Sequence, residues 1–269
     1  MLTRNAFAEK FGHRAVFGMV HLLPLPGAPL FGGSIDAVID AALRDARAIA
    51  HGGADALMIE NFGDKPFAKH RVGIETVAAM TRVVTEVVRE VRLPFGINVL
   101  RNDAHSALAV AAATNAALIR INVHTGAMLT DQGLIEGEAH DTLRRRAALA
   151  PHVYIFADHL VKHAVPLAPI DALQSAKDLR LRGLADALIV TGAETGAAPD
   201  AGRLRQVREA VDAPLIAGSG VDESNAAAYA EADGAIVGTS IKHEGKVDAA
   251  VDPARVERLV RAFKSSGGR

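Results

Sequence analysis

The chain of 269 residues has no cysteine and no tryptophan, and only 4% of it is aromatic. Without cysteine there is no disulfide framework, no thiolate metal site and no cysteine nucleophile. With so few rings, the core must be assembled from Ala, Val, Leu and Ile, a composition that suits helices packed closely on strands. Charge of one sign is also lacking: 30 Lys and Arg stand against 31 Asp and Glu, a net charge of −1, with no basic excess to hold a nucleic acid. No apolar run reaches the roughly 18 residues of a membrane span, and the opening stretch MLTRNAFAEKFGHRAVF has no apolar signal-peptide core. These absences lead to the expectation of a cytoplasmic protein with no integral membrane segment and no nucleic-acid partner. A homo-oligomer is compatible with this composition. What the chain does have is hydrophobic residues, 49% of the total, which argues against disorder.

Those residues fall into short runs of strand length: AVFGMV (15–20), DALMIE (55–60), LPFGINVL (93–100), ALIRINV (117–123), VYIFAD (153–158), ADALIV (185–190), APLIAG (213–218) and GAIVG (234–238). Amphipathic stretches separate them. Ser34 is a natural N-cap for 35–51, where Ile35, Val38, Ile39, Leu43, Ala46 and Ile49 recur at helical spacing. Helices are likewise expected over 73–92, 104–113, 138–149, 168–182, 200–210, 223–230 and 253–263. Three junctions repeat one pattern, GGADALMI, GLADALIV and EADGAIV: a small residue ends the helix and an aspartate leads into the next strand. Eight alternating units are expected to close into a single-domain (β/α)₈ barrel over 1–269, for which about 250 residues is typical.

Barrel enzymes keep their chemistry at the C-terminal ends of the strands. Along the fourth run, Leu118, Arg120, Asn122 and His124 share one face and Ile119, Ile121 and Val123 the other. The polar set is expected to face the barrel interior. A buried Arg120 needs a carboxylate partner, and both Glu60 and Asp158 end strands. His21, Asn61, Asn98, Asn102, Lys162 and His163 lie at the same ends. Glu60 and Asp158 are the acid–base candidates, with His21, Arg120, Asn98, Asn122 and His124 as their companions. The same groups have structural readings as an ion pair and its supporting hydrogen bonds. A divalent metal on the His, Asp and Glu set is left open, although no tight ligand spacing marks one.

The last strands end in Gly-rich turns, where backbone N–H groups can hold an anion. These are Thr191 and Gly192 with the following Ala193-Glu194-Thr195-Gly196, then Gly218, Ser219 and Gly220, then Gly238, Thr239 and Ser240. Two such Gly-Ser/Thr turns on consecutive strands form a sharper signal than either alone. They point to a phosphorylated small-molecule ligand, to which Lys242 could add charge. The loops 61–67 and 125–133 are candidate lids.

The motifs GMVHLLPLPGAP (18–29), ALMIENFGDKPF (56–67), FGINVLRND (95–103), IRINVHTGAMLTDQGLIEG (119–137), IFADHLVKHAVPL (155–167), ALIVTGAETG (187–196) and GAIVGTSIK (234–242) resemble the BtpA family, which takes in SgcQ-type proteins, over nearly the whole chain. The resemblance implies a barrel of the ribulose-phosphate-binding type. It also implies either a role in photosystem I biogenesis or a part in sugar utilisation, and some members are described as nucleoside triphosphatases. It carries over no catalytic residue and no certain cofactor. A shorter likeness, in VTGAETG and GSGVDESNAAAYAEADGAIVGTSI, is to the closing phosphate region of the tryptophan synthase α subunit. It suggests isomerase, epimerase or lyase chemistry on a phosphorylated substrate. Three functions are thus in play: an enzyme of a sugar phosphate or related metabolite, a biogenesis or stability factor for a membrane complex, and a nucleotide hydrolase, which would lack GxxxxGK[ST].

Overall fold

The computed structural model describes residues 1–192 and 201–266. Eight parallel strands close into a barrel: β1 Ala15–His21, β2 Ala56–Glu60, β3 Phe95–Asn98, β4 Leu118–Ile121, β7 Tyr154–His159, β9 Ala187–Thr191, β10 Leu215–Gly218 and β11 Gly234–Val237, with β11 paired back onto β1. All eight apolar runs became barrel strands. Three further strands, β5 Ala127–Thr130, β6 Gly133–Glu136 and β8 Ala164–Pro166, form a separate antiparallel sheet in the order β6-β5-β8. The loop over 125–133, a candidate lid, is thus largely a β-hairpin.

The helices are α1 Arg4–Phe11, α2 Ile35–His51, α3 Ile74–Glu90, α4 Ala104–Thr114, α5 Ala139–Leu149, α6 Ala172–Lys177, α7 Ala201–Ala210 and α8 Pro253–Ser265. Helix α2 starts where its cap implies, with the Ser34 hydroxyl accepting from the Ala37 N–H at 3.2 Å. Its buried face is Val38, Ile39, Ala42, Asp45, Ala46 and Ile49. Two helical expectations change. The stretch 168–182 begins only at Ala172 and ends in a π-helical turn, Asp178–Arg182; 223–230 shortens to a 3₁₀ turn, Ala226–Tyr229.

The repeated Asp junctions have one mechanical purpose. The Asp55 carboxylate accepts from the Val16 N–H at 2.8 Å, while the Asp55 N–H donates to the Val16 carbonyl at 2.9 Å. Asp186 does the same with Ile155, at 2.9 and 2.8 Å, and Asp233 with Leu215, at 2.8 and 2.8 Å. Each aspartate therefore grips, by both of its neighbour's backbone groups, the start of the barrel strand that precedes it in the chain. Otherwise that N–H, on the first or second residue of the strand, would lack a partner.

Strand alternation divides the core into two layers. Val16, Val20, Leu57, Ile59, Ile97, Ile119, Ile121, Leu188 and Val190 pack outward against the helices. Phe17, Met19, Met58, Leu118, Phe156, Ile189, Ile216 and Ile236 fill the barrel. Helix α1, absent from the sequence reading, closes the bottom. Its Phe7 and Phe11 join Phe17 and Phe156 in one cluster, with ring centroids 5.2–6.3 Å apart. Five of the chain's eleven Phe and Tyr are spent at that end, and polar groups are left to the other.

Candidate active site at the barrel mouth

The uppermost inward layer is polar. Register places His21 beside Glu60, Glu60 beside Asn98, and Asn98 beside Arg120. The same alternation puts Asp158, two residues above Phe156, and then Thr191, Gly218 and Gly238 on the remaining rim. Below His21, Glu60, Arg120 and Asp158 the inward residues are large and apolar, Met19, Met58, Leu118 and Phe156; below Asn98 stands Gly96, whose place is filled by Leu118 and Met58. The rim side chains therefore have nowhere to go but up into the mouth.

Arg120 is 5% exposed and meets Asp158 in a bidentate pair, Nε to Oδ1 and Nη2 to Oδ2, both at 3.0 Å. Asn122 Nδ2 donates to Asp158 Oδ2 at 2.7 Å, and Asn98 Nδ2 donates to the Arg120 carbonyl at 3.2 Å. Of the two carboxylates that could partner Arg120, Asp158 takes the direct pair. Its oxygens are occupied and it serves to hold the guanidinium.

Glu60 is different. It is 6% exposed, and among the described residues no hydrogen bond reaches its carboxylate. The nearest ring is that of His21, with Nε2 3.7 Å from Oε1. Burial raises the Glu60 pKa, and the Arg120 and Lys162 cations pull it back in part. Burial also holds His21 neutral, helped by the cations Lys242, Lys162 and Arg120. The His21 ring stacks on Phe62 at 4.4 Å, and Lys65 Nζ lies 4.2 Å from the Phe62 centroid. The 61–67 loop thus reaches the site through Phe62 and Lys65.

A small cavity of about 30 Å³ brings Glu60, His21, Arg120 and Lys162 together with Ser219, Gly220, Gly238 and Thr239. A second, of about 240 Å³, adds Lys65, Arg101, Asn122 and His163 and shares Glu60, Phe62, Arg120 and Lys162 with the first. Ser219 and Gly220 have left-handed backbone, φ 69° and 64°; the Ser219 N–H is spent on the Ile236 carbonyl at 3.3 Å, so the donor this turn keeps for an anion is the Gly220 N–H. At Gly238, an added Cβ would lie 3.2 Å from the His21 ring, so a side chain there would crowd the cavity.

Not every expected residue arrives. Strand β4 ends at Ile121, and the inward alternation ends soon after it. The His124 ring turns away from the mouth, its Nε2 2.8 Å from the Gly183 carbonyl, which corrects its placement beside Arg120. The Ser240 hydroxyl donates to the Val221 carbonyl at 2.7 Å and lines a surface depression with Arg255 and Arg258 instead. Lys242 is 2% exposed and lies 3.8 Å from Asp45 of α2; it belongs to the outer packing layer. Gly218 has no room for a side chain, since a Cβ would sit 2.5 Å from Ile189 Cγ2. Thr191 is buried with no partner for its hydroxyl among the described residues. Gly192 follows β9 without lining either cavity, and Ala193 to Gly196 lie outside the described residues. Asn61 and Asn102 serve the backbone, accepting from Leu100 N–H at 2.7 Å and Val123 N–H at 2.8 Å. Among the described residues no group of three or more His, Asp or Glu could hold a metal ion.

The structure also promotes two residues. Lys162 lies between left-handed Leu160 and His163, φ 53° and 55°, and lines both cavities. Burial lowers its pKa, as does Arg120, against the opposing pull of Glu60 and Asp158. Arg101 Nη2 donates to the Lys162 carbonyl at 2.6 Å. Both sit in loops past the strand ends, where the two-residue period gives no direction. The sequence placed Lys162 at the strand ends without a role and did not single out Arg101.

Among solved structures, the chain is similar in fold to N-(5'-phosphoribosyl)anthranilate isomerase from Pyrococcus furiosus, with a TM-score of 0.59, 14% identity and coverage of 94% of this chain and 100% of that one. It is also similar to 7,8-dihydropteroate synthase from Vibrio fischeri, with a TM-score of 0.62, 15% identity and coverage of 95% and 92%. Among curated proteins it is 47% identical to photosystem I biogenesis protein BtpA of a Synechocystis species, covering 93% of this chain and 88% of that protein. It is 34% identical to the putative sgc region protein SgcQ of Escherichia coli, covering 92% and 93%. Residues 12–265 match the model of the BtpA family. With the closed barrel and these full-length likenesses, the chain belongs to the BtpA family.

Proposed function

We propose that this protein is an enzyme of a small phosphorylated metabolite, a sugar phosphate being the class that fits best, and that it moves a proton. The observation that carries this is Glu60: a buried carboxyl with no hydrogen bond among the described residues, in one cavity with two cations and with the Ser219–Gly220 and Gly238–Thr239 turns. The turns offer backbone N–H groups to a phosphate. Arg120, fixed by Asp158, and Lys162 lie where they can meet a carbonyl or hydroxyl of the carbon skeleton. Glu60, its proton affinity raised by burial, takes a proton from the carbon or hydroxyl next to that group. Negative charge then develops on the oxygen facing Arg120 and Lys162, and both cations stabilise it. Return of the proton to the neighbouring carbon gives isomerisation, return to the other face gives epimerisation, and loss of a carbon–carbon bond gives lyase chemistry. The solved neighbours include a phosphoribosylanthranilate isomerase and an orotidine 5'-phosphate decarboxylase, which supports the substrate class by analogy of fold alone.

The test is a thermal-shift screen of sugar phosphates, followed by turnover assays on any hit. Glu60→Gln is expected to retain ligand binding and lose about 10²-fold or more in kcat, the scale of general acid–base catalysis. Unchanged kcat removes Glu60 from the reaction.

A second reading, a stability factor for a membrane complex, has its own observation besides the name of the Synechocystis relative. The small sheet is apolar on both faces. Met128, Ile135 and Ala164 pack inward on Val123 and Val161. Leu129 pairs with Leu134 and Val165 on the opposite face, where Leu129 is 47% and Val165 57% exposed. Leu129→Lys with Val165→Lys is expected to abolish partner capture under this reading and to leave turnover intact under the first.

A further inference from the structure

A third cavity, of about 290 Å³, opens on the far side of Asp158 and adjoins the mouth at Asn122, which lines both. Its chemistry is the reverse of the mouth's. The charged groups on its wall are all carboxylates, Asp158, Asp171 and Asp178, with no Lys or Arg. Much of the remaining wall is apolar, including Val123, Met128, Val161 and Leu179.

Two buried acceptors on this wall lack a partner among the described residues: Asn122 Oδ1 and His159 Nδ1. Both assignments are forced by their neighbours. Asn122 must turn its NH₂ to Asp158 Oδ2, so its oxygen is the free end. His159 Nε2 lies 2.9 Å from the Ala172 carbonyl, which can only accept. The proton is therefore on Nε2 and Nδ1 carries a lone pair. Burial keeps this ring neutral, with a pKa of about 4. Asn122 and His159 are 3% and 1% exposed, and a buried acceptor left bare costs free energy unless a ligand or water fills it.

We propose that this cavity is a binding subsite for a compact, largely apolar group that carries N–H donors, such as an amide or ring amine. Taken with the phosphorylated-substrate reading, on which this second step rests, the substrate has two limbs. An anionic limb lies toward the Gly turns, a nitrogenous limb lies beyond Asp158, and the bond between them passes Arg120 and Asn122. At about 290 Å³ the subsite sits near the lower end of small-ligand pockets, roughly 300 Å³, enough for a substituted six-membered ring. The Arg120–Asp158 pair, whose carboxylate is itself fully buried, then acts as a partition between the two limbs.

The probes are benzamide and acetophenone, near-isosteres with and without N–H donors, followed by NMR on the full chain, with inorganic phosphate titrated separately. Benzamide is expected to bind, acetophenone at least tenfold more weakly. Ser175→Phe, which fills the cavity from α6, is expected to abolish benzamide binding while the phosphate titration is unchanged. His159→Phe, which removes one acceptor at similar volume, is expected to weaken benzamide toward the level of acetophenone. Equal affinity for the two probes, no binding of either, or benzamide binding that survives Ser175→Phe overturns the subsite. Benzamide binding without phosphate binding keeps the subsite and instead removes the phosphorylated-substrate reading.

Discussion

At the scale of the residue, Glu60 at the end of β2 and Asp158 one residue before the end of β7 are alike in burial and opposite in circumstance. Asp158 spends its oxygens on Arg120 and Asn122, so Asp158→Ala strands a guanidinium that is 5% exposed. Breaking a buried pair by removing one partner costs about 3–5 kcal/mol, and the melting temperature of Asp158→Ala is expected to fall accordingly; an unchanged value removes the partition from the structure of the site. Glu60 behaves the other way. Its folded pKa is raised by burial, so the fold is favoured while the group is protonated, below its unfolded pKa, and loses that advantage as pH rises through the folded value. Glu60→Gln is therefore expected to raise the melting temperature at pH 8 and to change it little at pH 4. A catalytic group held at a cost to stability shows this signature; a structural carboxylate shows the reverse. His159 adds a third case. Its pKa is lowered from 6.5 to about 4 by burial, so the folded state resists protonation. Stability is lost as pH falls from about 6.5 toward 4, by an amount on the order of 3 kcal/mol. His159→Phe is expected to flatten that stretch of the stability–pH curve.

At the scale of the element, the barrel strands were legible because each is a short apolar run whose alternation fixes its two faces. The same alternation named the rim: His21, Glu60, Arg120 and Asp158 are each two residues above an inward apolar side chain, as with Met58 below Glu60 and Leu118 below Arg120, and Asn98 is two above the inward Gly96. Legibility stopped where the period stopped. His124 lies three residues past the end of β4 and Ser240 three past the end of β11, and both turned away. Lys162 and Arg101 reached the mouth from loops that no period describes. Helix α1 was unread because Phe7 and Phe11 make a short apolar pair on an otherwise polar segment, and only the open bottom of the barrel gives them a place to go. The Asp junctions were read as a pattern without a purpose; the structure supplies the purpose. Asp186 is 2% exposed and holds the Ile155 N–H, the Leu2 N–H and Arg146 together. Asp186→Ala leaves those donors bare and is expected to cost about 1–3 kcal/mol for each that water cannot reach, measured by denaturant unfolding. Asp55→Ala bares a single strand N–H, that of Val16, and is expected to cost less. Equal losses in the two variants would show that the clamp acts through something other than these bonds.

At the scale of the whole molecule, the barrel is polarised along its axis. Aromatic packing closes one end, and the other carries buried charge that the fold alone does not require: Arg120, paired with Asp158, shares a cavity with Lys162, Arg101 and Glu60, whose carboxyl has no hydrogen bond among the described residues. With Arg120 already paired to Asp158, the attraction left for an anion comes mainly from Lys162 and Arg101, and a ligand that binds only the folded state returns it as stability. At a concentration 100-fold above its Kd, such a ligand adds about 2.7 kcal/mol. A bound sugar phosphate is accordingly expected to raise the melting temperature, and Arg120→Met is expected to remove that rise. The starting temperature also moves, because Arg120→Met breaks a buried ion pair: it leaves Asp158 uncompensated and lowers the baseline. The reading therefore rests on the ligand-dependent increment and not on the starting temperature. An increment that survives Arg120→Met places the anion away from the mouth. One that disappears there, and also in a variant with Gly238→Val crowding the His21 side of the cavity, places it between the Gly turns and the cations, where Glu60 can reach the carbon skeleton.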